Sequence, residues 1–175
     1  MACVRICITG PESTGKSTLI KHLSAHFGFP YVDEMARSYL DSLNRAHAFE
    51  DLYQIAQLQQ KAISEASKKG DILFCDTDLL TIKIWAQDKY KKEIAFVEEH
   101  YQSKKADLYL LCYPDLEWQP DPQREDEYRL KEIYQLYVGM LIDMDANYVV
   151  VKGQGENRSK LAEEAVKEFL QLRNF

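Results

Sequence analysis

The sequence lacks features that would each indicate a particular class of protein. Its 175 residues carry 28 acidic and 22 basic side chains, a formal charge of −6, so it has no basic excess of the kind that duplex-binding proteins use. No apolar run approaches the roughly 20 residues that span a bilayer. Residues 1–5 lack the charged start and cleavage site of a secretory signal. We therefore expect a cytoplasmic protein that binds neither nucleic acid nor membrane.

Metal-binding and disulfide patterns are also missing. The four cysteines form no CxxC pair, and each falls in a short apolar run, which favours buried, reduced thiols: Cys3, Cys7, Cys75 and Cys112. The four histidines show no spacing typical of a metal site, so no role is predicted for them: His22, His26, His47 and His100. A chain of this length buries roughly 70% of its unfolded surface and needs no such support.

Short apolar runs alternate along the chain with longer helical patterns. The runs predict strands over residues 3–9, 29–32, 71–75, 107–112 and 147–151. The helical patterns predict helices over residues 16–27, 34–45, 50–69, 78–88, 91–103, 126–143 and 157–172. Strands that are almost continuously apolar and separated by helices are typical of a buried parallel sheet covered on both faces. We expect one α/β domain over residues 1–175.

The strongest motif lies between the first predicted strand and helix. Residues 10–17 match G-x-x-x-x-G-K-[ST] in full. The glycines let the backbone curl around phosphate, Lys16 can reach the β- and γ-phosphates, and the Ser17 hydroxyl can bind Mg²⁺. The motif therefore predicts binding of ATP and Mg²⁺ by Gly10, Glu12, Ser13, Thr14, Gly15, Lys16, Ser17 and Thr18. For Pro11, Glu12 and Ser13, the alternative is a side-chain wall without ligand contacts.

Carboxylates follow the second and third predicted strands, at the sheet edge where α/β proteins bind ligands. Asp76 closes an apolar strand, as a Mg²⁺-binding acid does, and is a candidate catalytic, metal and substrate residue. Asp78 is a substrate candidate or a helix cap. Glu34 is a candidate catalytic base or substrate anchor, or it stabilises the next helix, and the adjacent Asp33 competes for the inward position. Arg37 binds substrate or phosphate, or forms a surface ion pair.

Further candidates lie in two loops and one helix. Arg124 and Arg129 follow the fourth strand, where a mobile lid over about residues 114–128 would exclude water and stabilise the transferring phosphoryl group, or they begin a solvated helix. Arg158 follows the fifth strand and either stacks on adenine or starts a helix. Trp85 either packs in the core or stacks on a flat substrate ring.

Together these motifs resemble the ribosylnicotinamide kinase domain of NadR-type proteins. The residues that carry the resemblance are the Gly-Pro-Glu-Ser-Thr-Gly-Lys-Ser-Thr-Leu run at 10–19, Glu34 with Ala36-Arg37, residues 74–81, 83–85 and 109–112, and Pro114-Asp115, Trp118, Pro120-Asp121 and Arg124. The resemblance implies a three-layer P-loop nucleotide-kinase fold with strand order 2-3-1-4-5. It also implies transfer of the γ-phosphoryl group of ATP to the ribose 5′-hydroxyl of nicotinamide riboside, giving nicotinamide mononucleotide in NAD salvage.

The resemblance assigns roles and also shows departures. It implies that Lys16 and Ser17 handle the triphosphate and Mg²⁺, and it strengthens Trp85 as a stacking partner for the pyridine ring. The motif at residue 10 leaves no room before it for the nucleotidyltransferase or DNA-binding domains of NadR-type proteins, so their activities are not expected. Asp33 stands where proline is expected. The alternatives are a kinase of another nucleoside or nucleotide and a P-loop ATPase switch.

Overall fold

The computed structural model describes residues 3–175, and within them five parallel strands form one sheet in the order β2-β3-β1-β4-β5. The strands are β1 (Val4–Thr9), β2 (Tyr31–Val32), β3 (Ile72–Asp76), β4 (Leu108–Cys112) and β5 (Tyr148–Val151). The helices are α1 (Lys16–Phe27), α2 (Met35–Asp41), α3 (Phe49–Ala66), α4 (Leu79–Tyr90), α5 (Ala95–His100), α6 (Leu130–Asp143) and α7 (Gly155–Leu172). The predicted α/β class and strand order are confirmed.

The first strand occupies the centre of the sheet, and all of its residues except Arg5 are buried. Cys7 pairs in register with Cys75 of β3 on one side and with Tyr109 of β4 on the other. All five residues of β3 and of β4 are buried, as expected for a parallel sheet with helices on both sides. The loop that follows β1 therefore begins at the central strand of the sheet.

Alternating side chains of the strands build two core layers. Ile6 and Ile8 pack with α1 and α7 on one face. Cys7 and Leu73 pack with α3, α4 and α6 on the other face. A smaller apolar cluster joins α2, α3, α4 and α5. None of the helices formed by the described residues is long and apolar enough to cross a membrane.

Four predicted helices are shorter in the structure, and the one expected over 50–69 differs least, because α3 ends at Ala66. The helix expected over 91–103 is reduced to α5, because Lys91 adopts a left-handed conformation (φ 53°) that ends α4 and Ile94 begins the next helix. The helix expected over 34–45 ends at Asp41. The helix expected from 126 begins at Leu130, so residues 126–129 belong to the preceding loop.

The cysteine thiols are free, as expected. Cys7, Cys75 and Cys112 are buried in the sheet, and Cys3 is half-buried. Burial raises the pKa of each of these thiols, which keeps them protonated and unreactive.

Candidate functional site

The loop between β1 and α1 is held against the end of β4. Gly10 has φ 131°, and a Cβ at this position would lie 2.7 Å from the carbonyl oxygen of Cys112. Gly15 has φ 75° and directly precedes α1. Both positions thus require glycine, one for close backbone approach and one for a left-handed turn. Because α1 begins at Lys16, its N-terminus adds a partial positive charge to this place.

Side chains of the loop close it on itself. The Lys16 ammonium donates hydrogen bonds to the carbonyl oxygens of Gly10 (2.9 Å) and Pro11 (2.8 Å). The buried Thr14 hydroxyl donates to the same Pro11 oxygen at 2.7 Å. The loop is therefore preformed, with a positive charge held across it.

Ser17 and Asp76 meet at the carboxyl end of the sheet. The Ser17 hydroxyl donates a hydrogen bond of 2.8 Å to Oδ2 of Asp76. Asp76 is 1% exposed, and its Oδ1 has no hydrogen-bond partner among the described residues. Burial raises the pKa of Asp76 to about 6, opposed by the Lys16 charge and assisted by the Glu34 carboxylate. A buried carboxylate oxygen without a partner, next to a hydroxyl, is suited to a cation.

A buried amide holds the ends of β2 and β3 together. The Gln59 side chain donates to the carbonyl oxygens of Asp33 (3.4 Å) and Asp76 (3.3 Å), and it accepts from the Met35 N–H at 2.8 Å. This contact fixes where α2 starts. Glu34 faces the adjoining cavity, whereas Asp33 is exposed and outside its lining. The structure thus distinguishes the two neighbouring carboxylates, which the sequence does not.

A cavity of about 640 Å³ adjoins the loop. The predicted site residues that line it are Gly10, Glu12, Ser13, Thr14, Gly15, Lys16, Ser17, Thr18, Glu34, Arg37, Trp85, Arg124 and Arg129. Its wall also contains polar residues that were not among the predicted site residues, namely His47, Thr81, Asp88, Lys89, Gln123 and Tyr137. Thr81, Asp88 and Lys89 lie on α4, where Thr81, Trp85 and Asp88 are spaced i, i+4 and i+7 and so share one face of the helix. His47, Gln123 and Tyr137 come from separate elements, so the sequence carries no spacing signal for these three.

Aromatic side chains form part of this wall. Trp85 is half-buried, and the His47 ring packs edge-on against it with centroids 5.2 Å apart. The Tyr137 hydroxyl donates to Thr81 Oγ1 at 3.3 Å. The cavity therefore combines residues 10–17, the phosphate-type loop with its Lys16 ammonium, with an aromatic surface.

The segment between β4 and α6 lies over the loop and bonds to its side chains. Glu12 Oε1 accepts hydrogen bonds from the backbone N–H groups of Glu125 (2.7 Å) and Asp126 (2.6 Å). The Ser13 hydroxyl oxygen accepts one from the Gln119 N–H at 2.9 Å. Burial raises the pKa of Glu12, and the two N–H groups oppose that rise. The side-chain wall considered for Glu12 and Ser13 is thus present and supports the overlying segment.

The same segment contacts α2. Arg37 pairs with Asp121 at 2.9 Å, and Gln123 donates to the Asp41 carboxylate at 2.5 Å. Arg37 both lines the cavity and forms the ion pair that the sequence analysis kept as its alternative. The segment is held at both of its sides, by the loop and by α2.

The two predicted lid arginines differ in their surroundings. Arg124 lines the cavity and donates to the Gln119 carbonyl oxygen. Arg129 donates to both oxygens of Asp88 (2.8 and 3.1 Å) and pairs with Glu132 at 2.9 Å. The Arg129 guanidinium lowers the pKa of Asp88. Arg124 thus has fewer carboxylate partners and is the better placed of the two to meet an anion.

The structure corrects the expectation that Asp78 binds substrate. Asp78 caps α4, where its Oδ1 accepts from the Leu80 N–H at 3.0 Å, and its Oδ2 accepts from the Tyr109 hydroxyl at 2.6 Å. The side chain is 6% exposed and outside the cavity lining. Both oxygens are used inside the fold, so the capping alternative describes this residue.

The structure also corrects the expectation that Arg158 stacks on adenine. Arg158 is 5% exposed and donates to Asp115 Oδ1 (2.7 Å), the Gly153 carbonyl (2.9 Å) and the Thr14 carbonyl (2.8 Å). Its hydrogen bonds therefore connect the residues that follow β4 and β5 to the phosphate-type loop. From the loop after β5, Gln154 faces the neighbouring cavity instead.

That second cavity, of about 400 Å³, also adjoins the loop. Ser13, Gly15 and Thr18 line it together with Leu116, Glu117, Gln119, Arg124 and Gln154. Since Arg124 belongs to both cavities, the overlying segment spans the space between them.

Comparison with known proteins agrees with this architecture. A protein-family model described as an AAA domain matches residues 5–158. The trifunctional NAD biosynthesis/regulator protein NadR of Escherichia coli (strain K12) is 29% identical over 154 residues, covering 84% of this chain and 38% of the relative. The chain thus spans well under half the length of the curated relative that it matches.

Solved structures show the same fold. A NadR protein in complex with NR aligns with TM-score 0.84 and 21% identity, over 95% of this chain and 50% of that one. A NadR complex with NAD and AMP-PNP aligns with TM-score 0.80 at 21% identity, over 95% and 49%. Thymidylate kinase from Ehrlichia chaffeensis aligns with TM-score 0.66 and 11% identity, over 96% and 99%. At these identities the likeness establishes the fold.

Proposed function

The chain belongs to the AAA domain family, and from that premise we propose that it transfers the γ-phosphoryl group of ATP to the ribose 5′-hydroxyl of a nucleoside. The nucleoside we propose is nicotinamide riboside, which would make the protein a cytoplasmic kinase of NAD salvage. The observation that carries the proposal is the Ser17–Asp76 pair beside a preformed phosphate-type loop. Ser17 lines the cavity, whose wall also contains the Glu34 carboxylate and the Trp85 indole, and Asp76 lies buried directly behind it.

The residues present fit Mg²⁺ and a triphosphate. Asp76 offers a buried oxygen without a partner, and Ser17 offers a hydroxyl, which are the oxygen ligands that Mg²⁺ prefers. Mg²⁺ bound there would neutralise charge developing on the β- and γ-phosphates. The loop N–H groups and the Lys16 ammonium would hold the phosphate oxygens, while the base of ATP would occupy the smaller cavity beside Gln154.

In the larger cavity, Glu34 is the proposed base. The 5′-hydroxyl oxygen would form a bond to the γ-phosphorus, its proton would pass to the Glu34 carboxylate, and ADP would leave. Glu34 is suited to this role because it lines the cavity near Asp76, while Asp33 does not.

Trp85 would bind the flat base of the nucleoside. Its half-buried ring lies in the cavity wall and is steadied edge-on by His47. A pyridinium ring carries a positive charge, which an indole face attracts. The NR-bound NadR structure with the same fold supports this choice of substrate.

Residues 114–128 are proposed to act as the lid of a single kinase domain spanning the chain. Closed over the loop through Glu12 and Ser13, the lid would exclude water, which prevents hydrolysis of ATP in place of transfer. Arg124 would then lie between the two cavities, where the phosphoryl group passes.

A second candidate function is phosphorylation of another nucleoside or a nucleotide, favoured by the full-length fold likeness to thymidylate kinase. A panel of nucleosides and nucleoside monophosphates, incubated with ATP and Mg²⁺ and analysed by product mass, separates the two. Nicotinamide mononucleotide as the main product supports the first proposal. A different phosphorylated product would change the proposed substrate but leave the proposed kinase activity standing. Phosphoryl transfer retained by Lys16→Ala would overturn the assignment of residues 10–17 as the phosphate-binding loop.

A further inference from the structure

Three side chains of types that can bind a metal ion converge outside the lining of both cavities, on α1 and α7. His22 and His26 are one turn apart on α1, and Glu163 of α7 contacts both. The Nε2 atom of His22 is 2.7 Å from Glu163 Oε1, and that of His26 is 3.5 Å from Glu163 Oε2. The three ligand atoms lie within 4.8 Å of one another.

These distances are close to those of a metal site. With metal–ligand bonds of about 2.0–2.2 Å, tetrahedral ligands stand about 3.4 Å apart. Two imidazoles and one carboxylate are a ligand set that binds Zn²⁺ and neighbouring transition metals. Only small side-chain rotations would bring the three atoms around one ion, with water at the remaining position.

Burial and charge also suit a cation. Glu163 is 14% exposed and anchored between the helices, whereas His22 and His26 are 42% and 35% exposed and can be reached from solvent. The hydrogen bond with His22 lowers the pKa of Glu163, so the carboxylate is ionised. The Lys167 ammonium lies 3.7 Å from Glu163 Oε2 and would be displaced by a bound cation.

We propose that His22, His26 and Glu163 bind one divalent transition-metal ion of the Zn²⁺ class, which clamps α1 to α7. The spacing of the histidines was not a signal on its own, because the third ligand is 141 residues from His22 in the sequence. The clamp would join the helix that starts at the phosphate-type loop to the helix that follows Gln154. It is independent of the proposed kinase reaction.

The test is calorimetric titration of tag-free protein with Zn²⁺ in excess Mg²⁺, repeated with Co²⁺ as a visible-absorption probe. We expect one ion per chain, a Co²⁺ absorption band, and a thermal midpoint raised by about 5 °C at saturating Zn²⁺. His26→Asn and Glu163→Gln should each weaken binding at least tenfold. Lys167→Met should strengthen it, since the competing ammonium is gone.

His100→Asn is the matched control, because His100 is on α5 and bonds to the Phe96 carbonyl. It should bind Zn²⁺ as the wild type does. Both α1 histidines are exposed, so the double variant His22→Asn/His26→Asn is expected to fold, as checked by circular dichroism. Zn²⁺ binding that the double variant retains, or that is absent from the wild type, would overturn the proposal.

Discussion

The Ser17 hydroxyl donates to the buried Asp76 carboxylate across 59 residues of sequence, at 2.8 Å. This contact joins the start of α1 to the end of β3. It leaves one oxygen of Asp76 without a partner among the described residues. A buried hydrogen-bond acceptor without a partner indicates a place where a ligand outside the polypeptide can bind.

Replacement of that acceptor should remove metal-dependent transfer. In Asp76→Asn the amide keeps the shape of the side chain but loses the charge, so we expect phosphoryl transfer to fall by about 100-fold or more. The measurement is turnover against Mg²⁺ concentration, with Asp71→Asn, an exposed acid before β3, as the control. Wild-type turnover in Asp76→Asn would exclude this residue from the site.

The same substitution should change the dependence of stability on pH. The pKa of Asp76 is raised from its ordinary 3.8 to about 6 in the folded protein. The folded state therefore binds this proton more tightly, so the stabilisation is complete below pH 4 and is lost as pH rises through about 6. Without Mg²⁺ or nucleotide, Asp76→Asn should be more stable than wild type at pH 7.5, by up to about 3 kcal/mol. Urea unfolding from pH 4 to pH 8 checks this, and a variant less stable than wild type at pH 7.5 contradicts it.

Neighbouring carboxylates offer a matched pair for the proposed base. Glu34→Gln should lower turnover by about 10²–10⁴-fold with little effect on nucleoside binding, because a proton acceptor is lost while the shape is kept. Asp33→Asn should behave as wild type, since Asp33 is exposed and outside the cavity lining. Single-turnover kinetics measure the difference, and equal turnover in the two variants would remove Glu34 as the base.

Glu12 should control the lid. In Glu12→Ala two backbone N–H groups lose their acceptor, so closure should weaken by about tenfold. We expect faster hydrogen exchange over residues 119–126 and more ATP hydrolysed per nucleoside phosphorylated. Glu127→Ala, an exposed acid on the same segment, is the control. An unchanged ratio of hydrolysis to transfer would show that Glu12 does not hold the lid.

Arg158 should matter for stability. Arg158→Ala leaves the Asp115 carboxylate and the Thr14 carbonyl without their buried donor, and we expect a loss of about 3 kcal/mol in the free energy of unfolding. Arg173→Ala removes an exposed ion pair with Asp107 and should cost less than about 1 kcal/mol. Denaturant unfolding of both variants decides between a buried tie and a ligand contact, since a ligand contact alone would leave unfolding unaffected.

The sequence predicted the parts of the molecule that are encoded locally. Short apolar runs predicted the strands, and the motif at residues 10–17 predicted the loop, because both depend on near neighbours in sequence. For Asp78 and Arg158 the sequence analysis left a ligand role and a local structural role open, since either fits the position. Their true partners, Tyr109 and the Thr14 carbonyl, are distant in sequence. Gln59 was missed for the same reason, because its partners are brought together only by folding.

The two parts of the proposed site, one for phosphate and one for the nucleoside, are built from different elements of the fold. The residues proposed to handle phosphate follow the central strand β1, whereas the wall proposed to recognise the nucleoside is built by short α2, the loop after it, the segment before α6 and the surface of α4. Changes at His47 or Trp85 therefore alter the shape offered to a base without touching the sheet. The architecture thus separates the loop proposed to handle phosphate from the wall proposed to recognise the base. Under the proposed function, substitutions in that wall are expected to change the nucleoside preference while phosphoryl transfer is retained.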